Sequence, residues 1–209
     1  MDAIKYYASI FLATIIVMTT MGFTKAYTSY KLGDIAIKNK GKVSLNPKKH
    51  FEIIVFFMFI FFGYGWTAPI DISPLYYKDR KKGNILVCIV PFIVAFILSL
   101  ISYIIYSLFQ IGIFGKIQFL STFFANLSIL FVKFIVFNII PMYPLFGLKL
   151  FQTILPANKA LMLSQYERIV QIVVIILLLS GLLQGVLQFF TTSILNFIII
   201  LSRFIVGIF

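Results

Sequence analysis

The chain has 209 residues, 61% of them hydrophobic and 11% charged, with a mean hydropathy of +1.05. This composition excludes an ordinary soluble domain and indicates a membrane-embedded chain of one domain, residues 1–209. Eighteen basic residues oppose six acids, and because basic residues between apolar spans mark the cytoplasmic face, we attribute the excess to membrane orientation and expect no nucleic-acid partner.

The first apolar stretch, residues 3–24, is long enough to cross a hydrocarbon core of about 30 Å. We interpret it as an uncleaved spanning helix, because the apolar run is too long for a signal peptide. Residues 25–49 then carry seven lysines against one acid, which predicts a cytoplasmic stretch in a cell-membrane protein. Within that stretch, residues 42–47 alternate polar and apolar side chains and predict a short strand at the membrane surface.

Residues 53–66 form an apolar run that is too short to span, since only about ten residues precede the Gly-Tyr-Gly-Trp sequence. A second basic cluster, residues 78–82, follows. If the run crossed the bilayer, one of the two basic clusters would be external. We therefore predict a re-entrant hairpin that leaves residues 25–49 and 78–82 on the cytoplasmic side.

The second half of the chain contains three more predicted spans, over residues 85–109, 119–140 and 169–190. A terminal helix over residues 193–208 either spans or lies flat on the membrane. The predicted fold is an all-α polytopic membrane protein with one short cytoplasmic surface strand and one re-entrant hairpin.

Four blocks of the sequence share a known pattern. They read AYTSYKLGD over residues 26–34, GKVSLNPKKH over 41–50, GYGWTAP over 63–69 and NIIPMYPLFG over 138–147. In this order they resemble the Leu-Gly-Asp, Leu-Asn-Pro-x-x-His, Gly-x-Gly-Trp and Asn-x-x-Pro-x-x-Pro-Leu-Asp-Gly motifs of small bacterial site-2 proteases. That family consists of intramembrane zinc metalloproteases, so the resemblance implies a site-2-protease-like helical core.

The resemblance places the family's catalytic residues at positions that hold other side chains here. The His-Glu-x-x-His motif falls on Met21, Gly22 and Lys25, and the aspartate of Leu-Asp-Gly falls on Phe146. Zinc needs three protein ligands and a carboxylate base beside its bound water, and these four side chains supply neither. We therefore predict no catalytic residues, no metal site, no zinc or other cofactor, and a pseudoprotease that is not an enzyme.

A displaced zinc site built from His50, Glu52 and nearby aspartates is a weaker alternative, because His50 and Glu52 are two residues apart and would face apart on a helix. We expect His50, the single histidine, to fix the end of the surface strand through a hydrogen bond.

The predicted substrate-binding residues are Lys25, Asn138, Pro141 and Pro144. Lys25 either extends to the membrane surface or binds a carbonyl or carboxylate of a peptide. Asn138 either holds substrate backbone, as the resemblance implies, or caps a helix before the bend at Pro141 and Pro144.

Three functions remain open at this stage. The preferred one is a protein that binds transmembrane or signal-peptide helices of a membrane-anchored partner without cleaving them. The second is a zinc peptidase whose metal site is completed by unconventional ligands or by a partner chain. The third is a structural or transport-associated protein that reuses the fold.

Overall fold

A computed structural model describes residues 3–115 and 117–207, and within these ranges the chain forms nine α-helices. They are α1 (Ala3–Lys31), α2 (Ile35–Asn39), α3 (Ile53–Phe62), α4 (Arg80–Gln110), α5 (Gln118–Asn138), α6 (Phe146–Ile154), α7 (Ala157–Gln165), α8 (Glu167–Leu179) and α9 (Leu182–Val206).

Four of these helices, α1, α4, α5 and α9, are long and apolar enough to cross a membrane. A fifth span results if α7 and α8, which meet at a bend of 59°, count as one broken span. The chain is therefore an all-α, multi-pass membrane protein, and the predicted fold class is confirmed in this respect.

Helix α5 lies at the centre of the bundle, where it packs against α1, α4 and α9. Because lipid gives little hydrophobic drive for helix association, close packing and interhelical hydrogen bonds must hold such a bundle. The hydroxyl of Ser99 on α4 donates to the carbonyl of Ser128 on α5 at 2.9 Å. The amide of Asn126 on α5 donates to the hydroxyl of Ser9 on α1 at 2.7 Å. These contacts fix α5 against both neighbours.

The predicted surface strand over residues 42–47 is wrong, since no strand occurs among the described residues. Ser44 accepts a hydrogen bond from the backbone N–H of Asn46, and the Asn46 side chain then caps a 3₁₀ turn over Pro47–Lys49. The alternating pattern was misleading because a strand also needs a partner strand, and the local Ser and Asn hydrogen bonds satisfy this backbone without one.

The last apolar stretch also differs from the predicted helices at residues 169–190 and 193–208. It breaks earlier, between α8 and α9, where Gly181 adopts a left-handed φ of 79°. Thr191 and Thr192 do not interrupt α9, because their hydroxyls bond to carbonyls one turn back, at 2.7 and 2.9 Å. Helix α9 therefore runs through both threonines. Residue 208 lies outside the described residues.

Helix α1 is longer than the predicted span of residues 3–24 and continues to Lys31. Lys25 consequently lies within the helix. Helix α3 ends at Gly63, which has a left-handed φ of 72°, and residues 64–73 after it have no regular secondary structure. This irregular segment runs from the end of α3 to the 3₁₀ turn at Pro74–Tyr76.

Candidate functional site

A cavity of about 360 Å³ lies where α1, α4 and α6 meet the segment of residues 69–72, and we call it the cleft. Its lining combines charged, polar and apolar side chains: Lys25, Pro69, Ile70, Asp71, Ile72, Cys88, Tyr143, Pro144, Leu145, Phe146, Leu148, Lys149, Gln152 and Glu167. Two of the four predicted catalytic positions, 25 and 146, are in this list.

Lys25 and Phe146 are in direct contact in the cleft. The Lys25 Nζ atom lies 4.8 Å from the centre of the Phe146 ring, within the range of a cation–π contact. The ring itself is buried and packs against Phe92 and Phe134, with ring centres 5.8 and 5.7 Å apart. Met21, one turn before Lys25, is fully buried in the same apolar cluster as Phe146. The fold therefore brings together Lys25 and Phe146, two motif positions that are 121 residues apart in the chain.

Gly22 lies against the imidazole of His50. A Cβ atom added to Gly22 would meet His50 Nδ1 and would lie 2.8 Å from His50 Cγ. The ring is held in place because His50 Nε2 donates to the Ser44 carbonyl at 2.7 Å. His50 thus makes the expected hydrogen bond, although to a turn and not to a strand. It also occupies the space that any side chain at position 22 would need.

Burial lowers the pKa of His50 below its ordinary value of 6.5, and the nearby Lys42 ammonium lowers it further. The hydrogen bond to the Ser44 carbonyl opposes both effects. With Nε2 carrying the donated proton, Nδ1 is an acceptor, and it has no hydrogen-bond partner among the described residues.

The residues at the family's catalytic positions do not fit zinc. Met21 offers only a weak thioether, Lys25 is a cation, and Gly22 and Phe146 offer no donor. No group of three His, Cys, Asp or Glu side chains suited to a metal occurs within residues 3–115 and 117–207.

The acids considered for a displaced site are engaged elsewhere. Asp34 is buried and accepts from the Ser29 hydroxyl and the Ser73 backbone N–H, at 3.1 and 2.8 Å. Asp79 caps the start of α4. Asp71 lies 3.8 Å from Lys40. These contacts are separate, so the aspartates do not gather around His50.

Asn138 ties the end of α5 to the segment that follows α3. Its Nδ2 atom donates to the Gly65 and Phe134 carbonyls, both at 2.9 Å. The side chain is fully buried, and Oδ1 has no hydrogen-bond partner in the described part of the chain. Pro144 lines the cleft, whereas Pro141 does not. The substrate-binding role of all four residues, Lys25 included, stays a prediction.

Lys149 is a cleft residue that sequence reasoning missed. It lies on α6 three residues after Phe146, which places both side chains on one helix face, and this spacing was the signal that could have identified it. Lys149 lines the same cavity as Lys25, and the two positive charges repel each other. Burial lowers the pKa of Lys149, while the Cys88 thiol and Asp34 oppose the shift.

The backbone beside the cleft is a second feature that the sequence did not reveal. None of the N–H groups of residues 65–72 has a hydrogen-bond partner in the described structure. Residues 69–72 of this segment line the cleft. Backbone with free N–H groups beside a cavity can pair with an extended peptide that enters it.

No family model and no solved structure matches the chain. It is 27% identical over 195 residues, 87% of either chain, to "Putative zinc metalloprotease YwhC" of Bacillus subtilis (strain 168). That relative confirms the resemblance to an intramembrane metalloprotease family. It also overturns the prediction that the chain is not an enzyme, because the relative is named as a protease.

Proposed function

We propose that this site-2-protease-like membrane protein binds a transmembrane or signal-peptide helix of a membrane-anchored partner at the cleft, through its Lys25 ammonium. The observation that supports this most directly is the contact of Lys25 with Phe146 on the wall of an open cavity. Both residues stand at positions that the family motifs assign to metal ligands, and Lys25 puts a cation at one of them. A partly buried ammonium binds a carbonyl or carboxylate through charge-assisted hydrogen bonds, which are stronger than those between neutral groups.

The segment of residues 65–72 supplies a second means of holding a peptide. An unwound stretch of the partner helix placed beside it would satisfy the free N–H groups of both chains. Ile70, Leu145 and Leu148 add apolar surface for the partner's side chains. Asn138, by bonding Gly65, keeps this segment in position.

The proposed orientation places residues 25–49 and 78–82 at the cytoplasmic face of the cell membrane, because both carry an excess of lysine and arginine. The chain segments before and after α3 then both lie on the cytoplasmic side, so α3 does not cross the membrane. Lys25 lies near the same end of α1, so the partner helix would meet the cleft from the bilayer at its cytoplasmic end.

We also propose that the family positions hold no stoichiometric zinc, since their side chains do not fit the ion. The second candidate function is peptide hydrolysis, which the name of the Bacillus subtilis relative favours. A peptidase built on this chain needs metal ligands outside the family positions, from unconventional side chains or a partner chain.

The test uses the purified full chain in detergent with a synthetic signal-peptide helix. Dissociation constants are measured for the parent, Lys25→Met and Lys133→Met, the last being a matched control. Lys133 is another lysine of the helical bundle, and its Nζ lies 4.9 Å from the Tyr64 ring, away from the cleft. We expect Lys25→Met to weaken binding about tenfold, the value of one charge-assisted hydrogen bond, and Lys133→Met to leave it unchanged.

Zinc content by elemental analysis and peptide fragments by mass spectrometry are recorded on the same samples. Binding without metal supports the proposal as stated. One zinc per chain together with cleavage would support the peptidase. Equal binding by the parent and Lys25→Met would contradict the role of Lys25.

A further inference from the structure

We propose that the cleft holds the free C-terminal carboxylate of a bound peptide between the ammonium groups of Lys25 and Lys149. This inference rests on the proposed function and names its ligand. The ligand class is a membrane-associated peptide that ends in a carboxylate.

The two lysines reach the cleft from different helices, Lys25 from α1 and Lys149 from α6. Among the described residues, no carboxylate oxygen lies within 4.0 Å of either ammonium. Two like charges that share one partly buried cavity repel each other, and an anion between them removes this penalty. The pair is therefore arranged to receive one negative group.

Three acids lie near this pair, Asp71 and Glu167 in the cleft and Asp34 near Lys149, and none of them forms a salt bridge with either ammonium. Asp71 lies 3.8 Å from Lys40 with 93% of its side chain exposed, so solvent screens its attraction for Lys25. Glu167 begins α8, where a carboxylate interacts favourably with the helix N-terminus. Both cleft acids still add negative charge to the wall of the cleft, which disfavours a doubly charged phosphate more than a singly charged carboxylate.

The size of the cleft indicates the end of a peptide. An α-helix with its side chains is about 10 Å across, and a cavity of about 360 Å³ is at the small end of ligand pockets. The partner's helix therefore lies outside the cleft, and only its last one or two residues enter it. Ile70, Phe146 and Leu148 offer an apolar wall for the last side chain. Every polypeptide ends in such a carboxylate, and peptide-bond hydrolysis creates another at the new end of a cleaved chain.

The experiment compares two forms of one signal-peptide sequence, with a C-terminal carboxylate or a C-terminal amide. Binding to the full chain is measured by fluorescence anisotropy in a zwitterionic detergent, so that no anionic lipid competes. We expect the carboxylate form to bind about 10–100-fold more tightly, as for one or two charge-assisted hydrogen bonds. Lys149→Met should reduce this ratio to about twofold or less, Lys149→Arg should keep part of it, and Lys133→Met should keep all of it.

Binding of the amide form by Lys149→Met shows that this variant is folded. Equal binding of both forms by the parent would overturn the carboxylate site and leave the proposed function intact. Binding of neither form would overturn both. A carboxylate preference that survives in Lys149→Met would place the terminus elsewhere. If inorganic phosphate displaced the peptide and acetate at the same concentration did not, the lysine pair would be a phosphate site, and the inference would be refuted.

Discussion

Replacing Gly22 with alanine tests the contact between α1 and His50. In a helix this substitution alone should stabilise the chain by about 1 kcal/mol, because alanine is the better helix former. Here, however, the new methyl group would meet Nδ1 of His50 and lie 2.8 Å from Cγ and 3.1 Å from Cβ. The imidazole cannot simply turn away, since Nε2 is bonded to the Ser44 carbonyl at 2.7 Å.

Inserting a methyl group into such a packed contact costs about 1–3 kcal/mol, and moving the ring also sacrifices a hydrogen bond of about 1 kcal/mol. After the gain in helix propensity of about 1 kcal/mol, we expect Gly22→Ala to destabilise the protein by about 1–3 kcal/mol. Gly185→Ala is the matched control. Gly185 is also helical, and a Cβ there meets nothing within 4 Å, so that variant should gain about 0.5–1 kcal/mol.

The assay is thermal unfolding in detergent of both variants beside the parent. A difference of about 2 kcal/mol between them, within the expected range, corresponds to about 4–8 °C in Tm for a chain of this size. His50→Ala in the Gly22→Ala background should recover much of the loss, giving a favourable coupling of about 1–2 kcal/mol. If Gly22→Ala stabilised the protein as much as Gly185→Ala, or if the two mutations were additive, His50 would not lie on Gly22.

Three further predictions concern other parts of the molecule. Phe146→Asp should destabilise the chain by about 3–5 kcal/mol through loss of a buried ring. Adding Lys25→Ala should destabilise it further, because the Lys25 ammonium can pair with the new carboxylate in the single variant. Thermal unfolding of the single and double variants measures this, and equal stability of the two would contradict the pairing. Burial lowers the pKa of His50 in the folded chain, so as the pH falls the unfolded chain binds a proton at this residue before the folded chain does. The stability from this residue is therefore full above about pH 6.5 and falls below that pH by up to about 1.4 kcal/mol per pH unit. Unfolding measured between about pH 5 and 8 should show this slope in the parent and not in His50→Gln. Single cysteines placed at Lys40 and Lys81 should react with an impermeant reagent from the same side of the membrane, and labelling from opposite sides would mean that α3 crosses the bilayer.

The family motifs identified two positions, Lys25 and Phe146, that lie in contact in the structure. They contact each other because the fold sets the positions of the four blocks. These positions do not depend on which side chains the blocks carry. The absence of zinc, inferred from the missing ligands, stays a prediction. The deduction of inactivity from the same ligands was wrong, because the similarity to a named metalloprotease concerns the whole chain and not four positions.

Local patterns failed where a distant or competing contact decided the structure. The alternation over residues 42–47 could not show that no partner strand was available. Glycine and threonine both weaken a helix, yet Gly181 ends α8 through its positive φ, whereas Thr191 bonds back into α9. Lys149 was missed because no motif contains it, and its position in the cleft with Lys25 depends on how α6 packs against α4.

Photo-crosslinking from within the cleft measures directly whether a peptide binds there. A photoreactive phenylalanine analogue replaces Gln152, which lines the cleft, or, as a control, Gln188, which is exposed on α9. Both proteins are irradiated with the same signal-peptide helix. The account predicts a peptide adduct from position 152 that decreases about tenfold in Lys25→Met, and little adduct from position 188. Equal adducts from both positions, or an adduct at position 152 that is independent of Lys25, would contradict it.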